Sequence, residues 1–432
     1  YGKLADADEK ERARLEGLLE EGVRALSRRE RSYFERALRR GEPDSTADAF
    51  AADVASGKLP AVSYLVPSAK DSEHPGGSSP VESAHFVYKV LDALGSHPEV
   101  WRHTALFLTY DENDGLFDHV PPPEPPEGTA EEFWDGRPVG LGMRVPMTVI
   151  SPWTVGGYAC SEVFDHTSVI RFLERWTGVR EPNISAWRRT VCGDLTSAFD
   201  FSRGRKLPEV EQPGPVPAFE GRWHPEPPSE QRMPEQEEGT RPARPLPYRS
   251  DADGIYDPGA GVFLLALRDK GKRGSHFTLY PYAGEYETPR HHDVTGGTVV
   301  RVPVEDGAYD FTVTGPNGFR REFRGTREGA AAALKVTTRL DAERREVHVT
   351  VVNGGASALT LKLTPLAYAD PHPHPGAKPR TLTVGPRSTR TVAHEARHAH
   401  GWYDLDLRVA EDEGFRRRLM GHIENGRESV TG

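Results

Sequence analysis

The sequence predicts an α/β portion with a mainly parallel sheet, followed by two small β-sandwich domains. Three observations predict it. Before residue 203, short apolar strand-like runs alternate with amphipathic helical stretches. A proline-dense stretch then interrupts the pattern. Beyond residue 251 the chain turns into short apolar runs broken by Gly, Asp and Asn, and one motif occurs twice.

Taken in order, residues 7–40 read as helix, because Leu15, Leu18, Leu19, Val23 and Leu26 recur at three-to-four spacing among Glu and Arg. Residues 61–66 are a short apolar run ended by Pro67 and read as a strand. Residues 81–95 read as a helix with Phe86, Val87, Val90, Leu91 and Leu94 on one face. Residues 104–110 and 146–150 are two further strands, the first apolar enough to be buried on both faces. A helix over 167–176 follows, with Asp165 or Thr167 as its N-cap. Residues 1–203 are thus assigned to the α/β domain. Residues 204–250 hold eleven prolines between Pro208 and Pro247 and read as an extended linker wrapped along a neighbouring domain. In the remainder, Tyr309-Asp310, Gly318-Phe319-Arg320-Arg321 and Gly325 are echoed by Tyr403-Asp404, Gly414-Phe415-Arg416-Arg417 and Gly421. Two copies of one sandwich module, over 251–330 and 331–432, account for that echo. Their role is either structural or one of carbohydrate or lipid-surface contact.

Composition narrows the function classes. The 43 glycines and 37 prolines favour turn-rich β architecture. A net charge of −10 gives no nucleic-acid footprint, and no apolar run approaches the length that spans a bilayer. The only cysteines, Cys160 and Cys192, form either one disulfide or two buried thiols. Tyr1 reads as an internal start, with any export signal lying upstream.

Each of the three strand ends delivers a polar cluster. Asp71-Ser72-Glu73-His74 follows the first, Asp111-Glu112-Asn113-Asp114-Gly115 and then Asp118-His119 follow the second, and Asp165-His166 follows the third. Parallel strands would bring all three to one rim of the sheet, where ligands of open α/β folds bind. Asp111 and Glu112 are adjacent carboxylates at the end of an apolar strand. Their repulsion would be relieved by a divalent cation, and oxygen donors suit hard cations; a solvated turn is the plainer alternative. His74 has the chemistry of a donor to a phosphoryl oxygen or of a general acid. His119 is placed for a substrate contact or for support of a ligand, and His166 for either function or helix capping. His372, His374, His394, His398 and His400 fall among prolines and arginines, where solvated loops outweigh metal binding.

These residues carry a family resemblance. Leu106-Phe-Leu-Thr-Tyr-Asp111-Glu112-Asn-Asp-Gly115-Leu-Phe-Asp-His119-Val-Pro-Pro closely resembles the signature of bacterial phospholipases C, haemolytic and non-haemolytic, and related acid phosphatases. Ser72-Glu73-His74-Pro75 is similar to the family's Glu-His-Pro element. Residues 163–174 and 191–200 look like two more family segments, and Gly315–Arg320, Gly401–Asp404 and Gly421–Gly426 resemble the paired tail domains of the phospholipase C branch.

The resemblance implies an alkaline phosphatase-like fold and a hydroxyl nucleophile that forms a phospho-enzyme with the help of a divalent metal ion. It implies Asp111 and Glu112 as metal ligands, His74 at the phosphoryl group, and His119 and His166 within the catalytic motifs. It further implies export, a phospholipid or other phosphoester substrate such as a phosphatidylcholine-like lipid, transient contact with a membrane surface, and a disulfide between Cys160 and Cys192. The family's early Glu-Asn-Arg-Ser-Phe-type motif and the nucleophile-bearing segment have no match in this sequence. They are expected upstream of Tyr1, so that this chain alone is expected not to turn over phosphodiesters. A phosphomonoesterase on the same scaffold and a non-catalytic surface-binding fragment are the competing readings.

Overall fold

A computed structural model describes residues 8–37, 45–74, 77–113, 115, 118–202, 204–216, 229–232, 238–368 and 378–430. The chain divides into two compact units, residues 1–101 with 208–227 and residues 102–207 with 228–432.

The first unit is helical. The helix expected over 7–40 is two helices, α1 (Glu9–Ala25) and α2 (Arg28–Ala37). The break is written locally. Asp8 caps α1 by accepting from the Glu11 amide at 2.8 Å, and Ser27 restarts the chain as a capping box, exchanging bonds with Glu30 at 2.8 and 3.3 Å. No residue of α1 is buried, so its leucine stripe lies on a surface. Helices α3 (Thr46–Ala55), α4 (Pro80–Gly95) and α5 (Pro98–Trp101) carry the core of this unit: Ala47, Phe50 and Val54 with Val90, Leu91, Ala93, Leu94 and Trp101. Ser79 and Glu82 form the capping box that starts α4, with Pro80 in its first turn.

Residues 61–66 are not a strand. They run irregularly between Pro60 and Pro67, with Tyr64 and Val66 71% and 77% exposed. An apolar run becomes a strand only where another strand accepts its backbone bonds, and none does so here among the described residues.

In the second unit, β1 (Leu106–Thr109) pairs with β4 (Met147–Ile150), from Leu106↔Ile150 to Thr109↔Met147. The pairing is antiparallel, which corrects the parallel sheet expected here. A parallel pair needs a crossover, usually a helix, to carry the chain back. Among its described residues, the connection between β1 and β4 instead holds one helical turn and a hairpin, β2 (Phe133–Trp134) to β3 (Arg137–Pro138). Asp135 and Gly136, at φ +49° and +73°, make the tight hairpin turn. Helices α6 (Thr167–Thr177) and α7 (Ala186–Val191) follow, α6 ending at Gly178 in the left-handed conformation. Phe107 of β1, Phe172 of α6 and Phe199 pack together with ring centroids 5.0 to 6.2 Å apart.

The rest of the unit is β. Strands β6 (Ser250–Asp257), β7 (Val262–Asp269) and β10 (Gly296–Pro303) form one sheet, in the order β10-β7-β6. It faces β8 (Ser275–Pro281), β9 (Arg290–Val294), β11 (Ala308–Thr314) and β12 (Arg320–Thr326) across a core that includes Phe263, Leu265, Phe277, Phe311 and Phe323. Each of these buried side chains contributes roughly 1.5–3 kcal/mol.

The arrangement repeats. The sheet β13-β14-β17, made of Leu334–Asp341, Glu346–Asn353 and Ser388–Glu395, faces β15 (Leu359–Pro365), β16 (Arg380–Val384), β18 (Trp402–Val409) and β19 (Asp412–His422) across a second core. The two repeats meet edge to edge. Strands β12 and β19 pair antiparallel, from Arg320↔Met420 to Arg324↔Arg416, and fuse the halves into one eight-stranded sheet.

The duplicated motif explains itself at this seam. Arg321 donates to the Met420 carbonyl at 2.6 Å and to Tyr403 Oη at 3.2 Å. Arg417 donates to the Arg324 carbonyl at 2.9 Å and to Tyr309 Oη at 2.9 Å. Each buried arginine therefore reaches the tyrosine of the other repeat. Gly325 and Gly421 make room for those tyrosines, since an added Cβ would lie 2.4 Å from Tyr309 Oη and 2.5 Å from Tyr403 Oη.

The proline-dense stretch is partly seated. Short strand β5 (Arg241–Pro242) pairs with β20 (Glu428–Ser429), and Ala243 bridges Ala159. Cys160 and Cys192 are both free thiols, which corrects the expected disulfide. Cys160 lies 3.5 Å from Ser197 Oγ, and burial pushes both thiols above their ordinary range.

Candidate active site

Beyond Thr109 the β1–β4 ladder gains one more bond, from the Tyr110 amide to the Pro146 carbonyl at 3.3 Å. The chain then leaves the sheet, and Asp111 and Glu112 stand exposed on the turn. Neither carboxylate has a hydrogen-bond or ion-pair partner among the described residues. His166, at the cap of α6, reaches the same place, with Nε2 3.2 Å from the Tyr110 carbonyl. Asp111, Glu112 and His166 are thus gathered at the end of β1.

His119 lies farther along the same turn region, exposed, with Nδ1 3.4 Å from Asp118 Oδ1. Asp118 is also clamped by the Arg144 guanidinium, whose Nη2 donates at 2.8 Å. That hydrogen bond holds the Asp118 carboxyl down at about 2. Asp114, Leu116 and Phe117, which separate the two clusters, lie outside the described residues, as do Pro75, His372 and His374. His74 belongs to the first unit. It is exposed, and its carbonyl accepts from the amides of Gly77 and Ser78 at 2.8 and 3.2 Å. Glu73 beside it sits at φ +62°.

A buried ion network, absent from the sequence reading, seats His166. Arg188 of α7 donates to Asp165 Oδ2 at 2.7 Å and forks onto Glu132 at 2.9 and 3.0 Å. Ser185 also donates to Glu132, at 2.5 Å, and Thr167 to Asp165, at 2.7 Å. The residue expected to cap α6 or serve chemistry, Asp165, is therefore fully used in structure; its backbone carbonyl accepts from the Ser168 amide at 2.9 Å. The network fixes the residue before His166 to α7 and to the helical turn, residues 130–132, that leads into the β2–β3 hairpin. Its signal in the sequence was weak, because Glu132 lies 56 positions from Arg188 and Asp165 lies 23 away.

A second charged cluster ties this part of the unit to the β repeats. Arg273, in the loop before β8, contacts Glu162 at 2.9 Å and Asp194 at 2.8 Å. Burial pushes the Glu162 carboxyl above the ordinary carboxylate range. Tyr248 Oη accepts from the Val163 amide at 2.9 Å, and Ser161 donates to Glu424 at 2.7 Å. The segment leading into α6 is thereby bonded to both repeats.

Two adjacent, unpartnered carboxylates fit a hard divalent cation by donor chemistry. No third His, Cys, Asp or Glu ligand joins them within 4.8 Å among the described residues. A cation held by this pair alone would keep further positions for water or substrate oxygen.

Comparison with known proteins assigns the regions of the chain to families. Residues 23–180 match the Phosphoesterase family, and residues 242–326 and 333–422 match the C-terminal domain of bacterial phospholipase C. The chain is 39% identical over 418 residues to a non-hemolytic phospholipase C of Pseudomonas aeruginosa, covering 89% of this chain and 60% of that protein. It is 38% identical over 421 residues to a non-hemolytic phospholipase C of Burkholderia pseudomallei, covering 89% and 58%. A hemolytic phospholipase C of Pseudomonas aeruginosa is 36% identical over 432 residues, covering 87% and 58%. The chain thus spans about three-fifths of the length of these curated relatives. Residues 23–180 are thus a phosphoesterase-family region, and the two β repeats carry the match to the C-terminal domain of bacterial phospholipase C.

Proposed function

We propose that the protein hydrolyses phosphodiesters in the manner of a phospholipase C, with a phosphatidylcholine-like lipid as substrate, outside the cell and in transient contact with a membrane surface. One observation carries the reading: relatives named phospholipase C align over nearly the whole chain, β repeats included. No helix among the described residues is long and apolar enough to cross a membrane.

In this reading Asp111 and Glu112 hold a divalent cation, which supplies Lewis-acid stabilisation of charge on the phosphoryl oxygens. The His166 ring is oriented by the Tyr110 carbonyl. A carbonyl only accepts, so Nε2 carries the proton and Nδ1 of the neutral ring is left to accept one. His119 holds Nδ1 toward Asp118, leaving Nε2 for solvent or substrate. Arg144 already satisfies Asp118, which therefore orients His119 rather than taking part in proton transfer. His74 is assigned to the phosphoryl group as a donor. The attacking hydroxyl is assigned to none of these residues.

The test uses the full-length protein and phosphatidylcholine vesicles. Release of phosphocholine and diacylglycerol is the expected result. Release of phosphatidic acid, or hydrolysis confined to phosphomonoesters, would overturn the assignment.

A further inference from the structure

The two β repeats provide an internal control for a cluster that the active site does not use. Strands β6 and β7 of the first repeat correspond to β13 and β14 of the second. Both hairpins join eight-residue strands and close on a terminal pair, Asp257↔Val262 in one and Asp341↔Glu346 in the other. The third strands also correspond, with Pro303 opposite Val262 and Glu395 opposite Glu346. Two positions along the middle strand, the first repeat has Leu264 and the second has His348.

The first repeat therefore builds this sheet end with Val262, Leu264 and Pro303. The second places Glu346, His348 and Glu395 there, and keeps as Asp341 the aspartate that the first repeat has as Asp257 across the hairpin. The fold does not require such a row, and carboxylates directly opposite one another on neighbouring strands are destabilising.

Part of that repulsion is answered by protein. Arg397 and His398 contact Glu395 at 2.7 and 3.1 Å, and the Arg344 amide donates to Asp341 at 3.1 Å. Beside Asp341 and Glu346 stands the His348 imidazole. His348 Nε2 lies 3.5 Å from Glu346 Oε2, is shielded from solvent, and makes no hydrogen bond among the described residues. Ligand atoms of Asp341, Glu346 and His348 all lie within 4.8 Å of one another.

The hairpin that presents them is rigid. Val347 and Val349, alternating with the ligands, are buried in the core of the second repeat. Asn425 donates to the Ala342 carbonyl at 2.7 Å, and Arg345 donates to the carbonyls of Arg427 and Glu428 at 3.2 and 2.8 Å.

We propose that Asp341, Glu346 and His348 bind a divalent first-row transition ion, with zinc as the best fit. One imidazole and two carboxylates are a mixed nitrogen and oxygen donor set, which suits zinc; calcium and magnesium take oxygen donors. Three protein ligands leave the fourth position for water. The site lies in the second repeat, separate from the Asp111–Glu112 pair, and it staples the hairpin end where the carboxylates crowd.

The experiment starts from the full chain carrying Asp111→Asn and Glu112→Gln, which removes the other expected cation. After chelator treatment the protein is titrated with zinc, and bound metal is counted by equilibrium dialysis. One equivalent is expected, lost on adding His348→Gln or Asp341→Asn. In the unsubstituted chain, zinc should shift the side-chain nitrogen resonances of one histidine, and that signal should be the one missing from His348→Gln. Equal zinc binding with and without His348, or no histidine nitrogen that responds to zinc, would overturn the proposal. Neither readout depends on turnover, so the result stands apart from the outcome of the lipid assay.

Discussion

Replacing Arg188 by Met tests whether the buried network seats the active-site end of α6. The side chain of Arg188 is 20% exposed, while those of Glu132 and Asp165 are 4% and 5% exposed. Met keeps most of the volume and removes the charge, so two carboxylates are left buried with neutral donors alone, Ser185, Thr167 and Ser168 among them. Breaking a buried pair by removing one partner costs about 3–5 kcal/mol, and the surviving hydroxyl bonds place this case near the lower figure.

Urea denaturation of both proteins at pH 7.5 measures the deficit. Glu132→Gln added to Arg188→Met should recover part of the loss, because it removes one of the two buried charges left without a cation. A deficit under about 1 kcal/mol, or no recovery in the double variant, would refute the reasoning.

Two further outcomes follow from the seam and the thiols. Gly421→Ala sets a Cβ against Tyr403 Oη and Cζ at 2.5 and 2.9 Å, in a ring held by Arg321, and should cost about 1–3 kcal/mol by urea midpoint. Gly325→Ala should behave alike against Tyr309. Gly297→Ala, whose nearest contact is 3.5 Å, should stay within about 0.5 kcal/mol. Thiol titration should find both Cys160 and Cys192 after denaturation without reductant, and slow reaction in the native protein, since burial raises both thiols; finding none after denaturation would restore the disulfide.

The parts of the fold legible in the sequence were those encoded at short range or by repetition. The echo of Tyr309, Arg321 and Gly325 by Tyr403, Arg417 and Gly421 was visible because each member has one physical task at the seam and cannot drift. The helix ending at Gly95 was legible from its apolar face. The Ser27 break was also written in the sequence, as Ser-x-x-Glu, but the leucine period ran past it.

What failed depends on partners. Residues 61–66 have the composition of a strand and no strand to pair with among the described residues. Strand direction between β1 and β4 is set by the path of the connection, which periodicity does not record. At the site, Asp111 and Glu112 stood out as neighbours in sequence, and His166 joins them through the Tyr110 carbonyl. The Glu132–Arg188–Asp165 network was invisible because its members are scattered and each is unremarkable alone.

The central claim is that Asp111 and Glu112 hold the divalent cation of a phosphodiesterase. It is tested most directly by measuring metal content and phosphocholine release together in the full-length protein and its Asp111→Asn variant. The account predicts one fewer bound cation per chain and a loss of turnover of several orders of magnitude, with equal urea midpoints once both proteins are stripped of metal by chelator, because the exposed carboxylate has no partner among the described residues to lose. Equal metal content and equal turnover in the two proteins would contradict it.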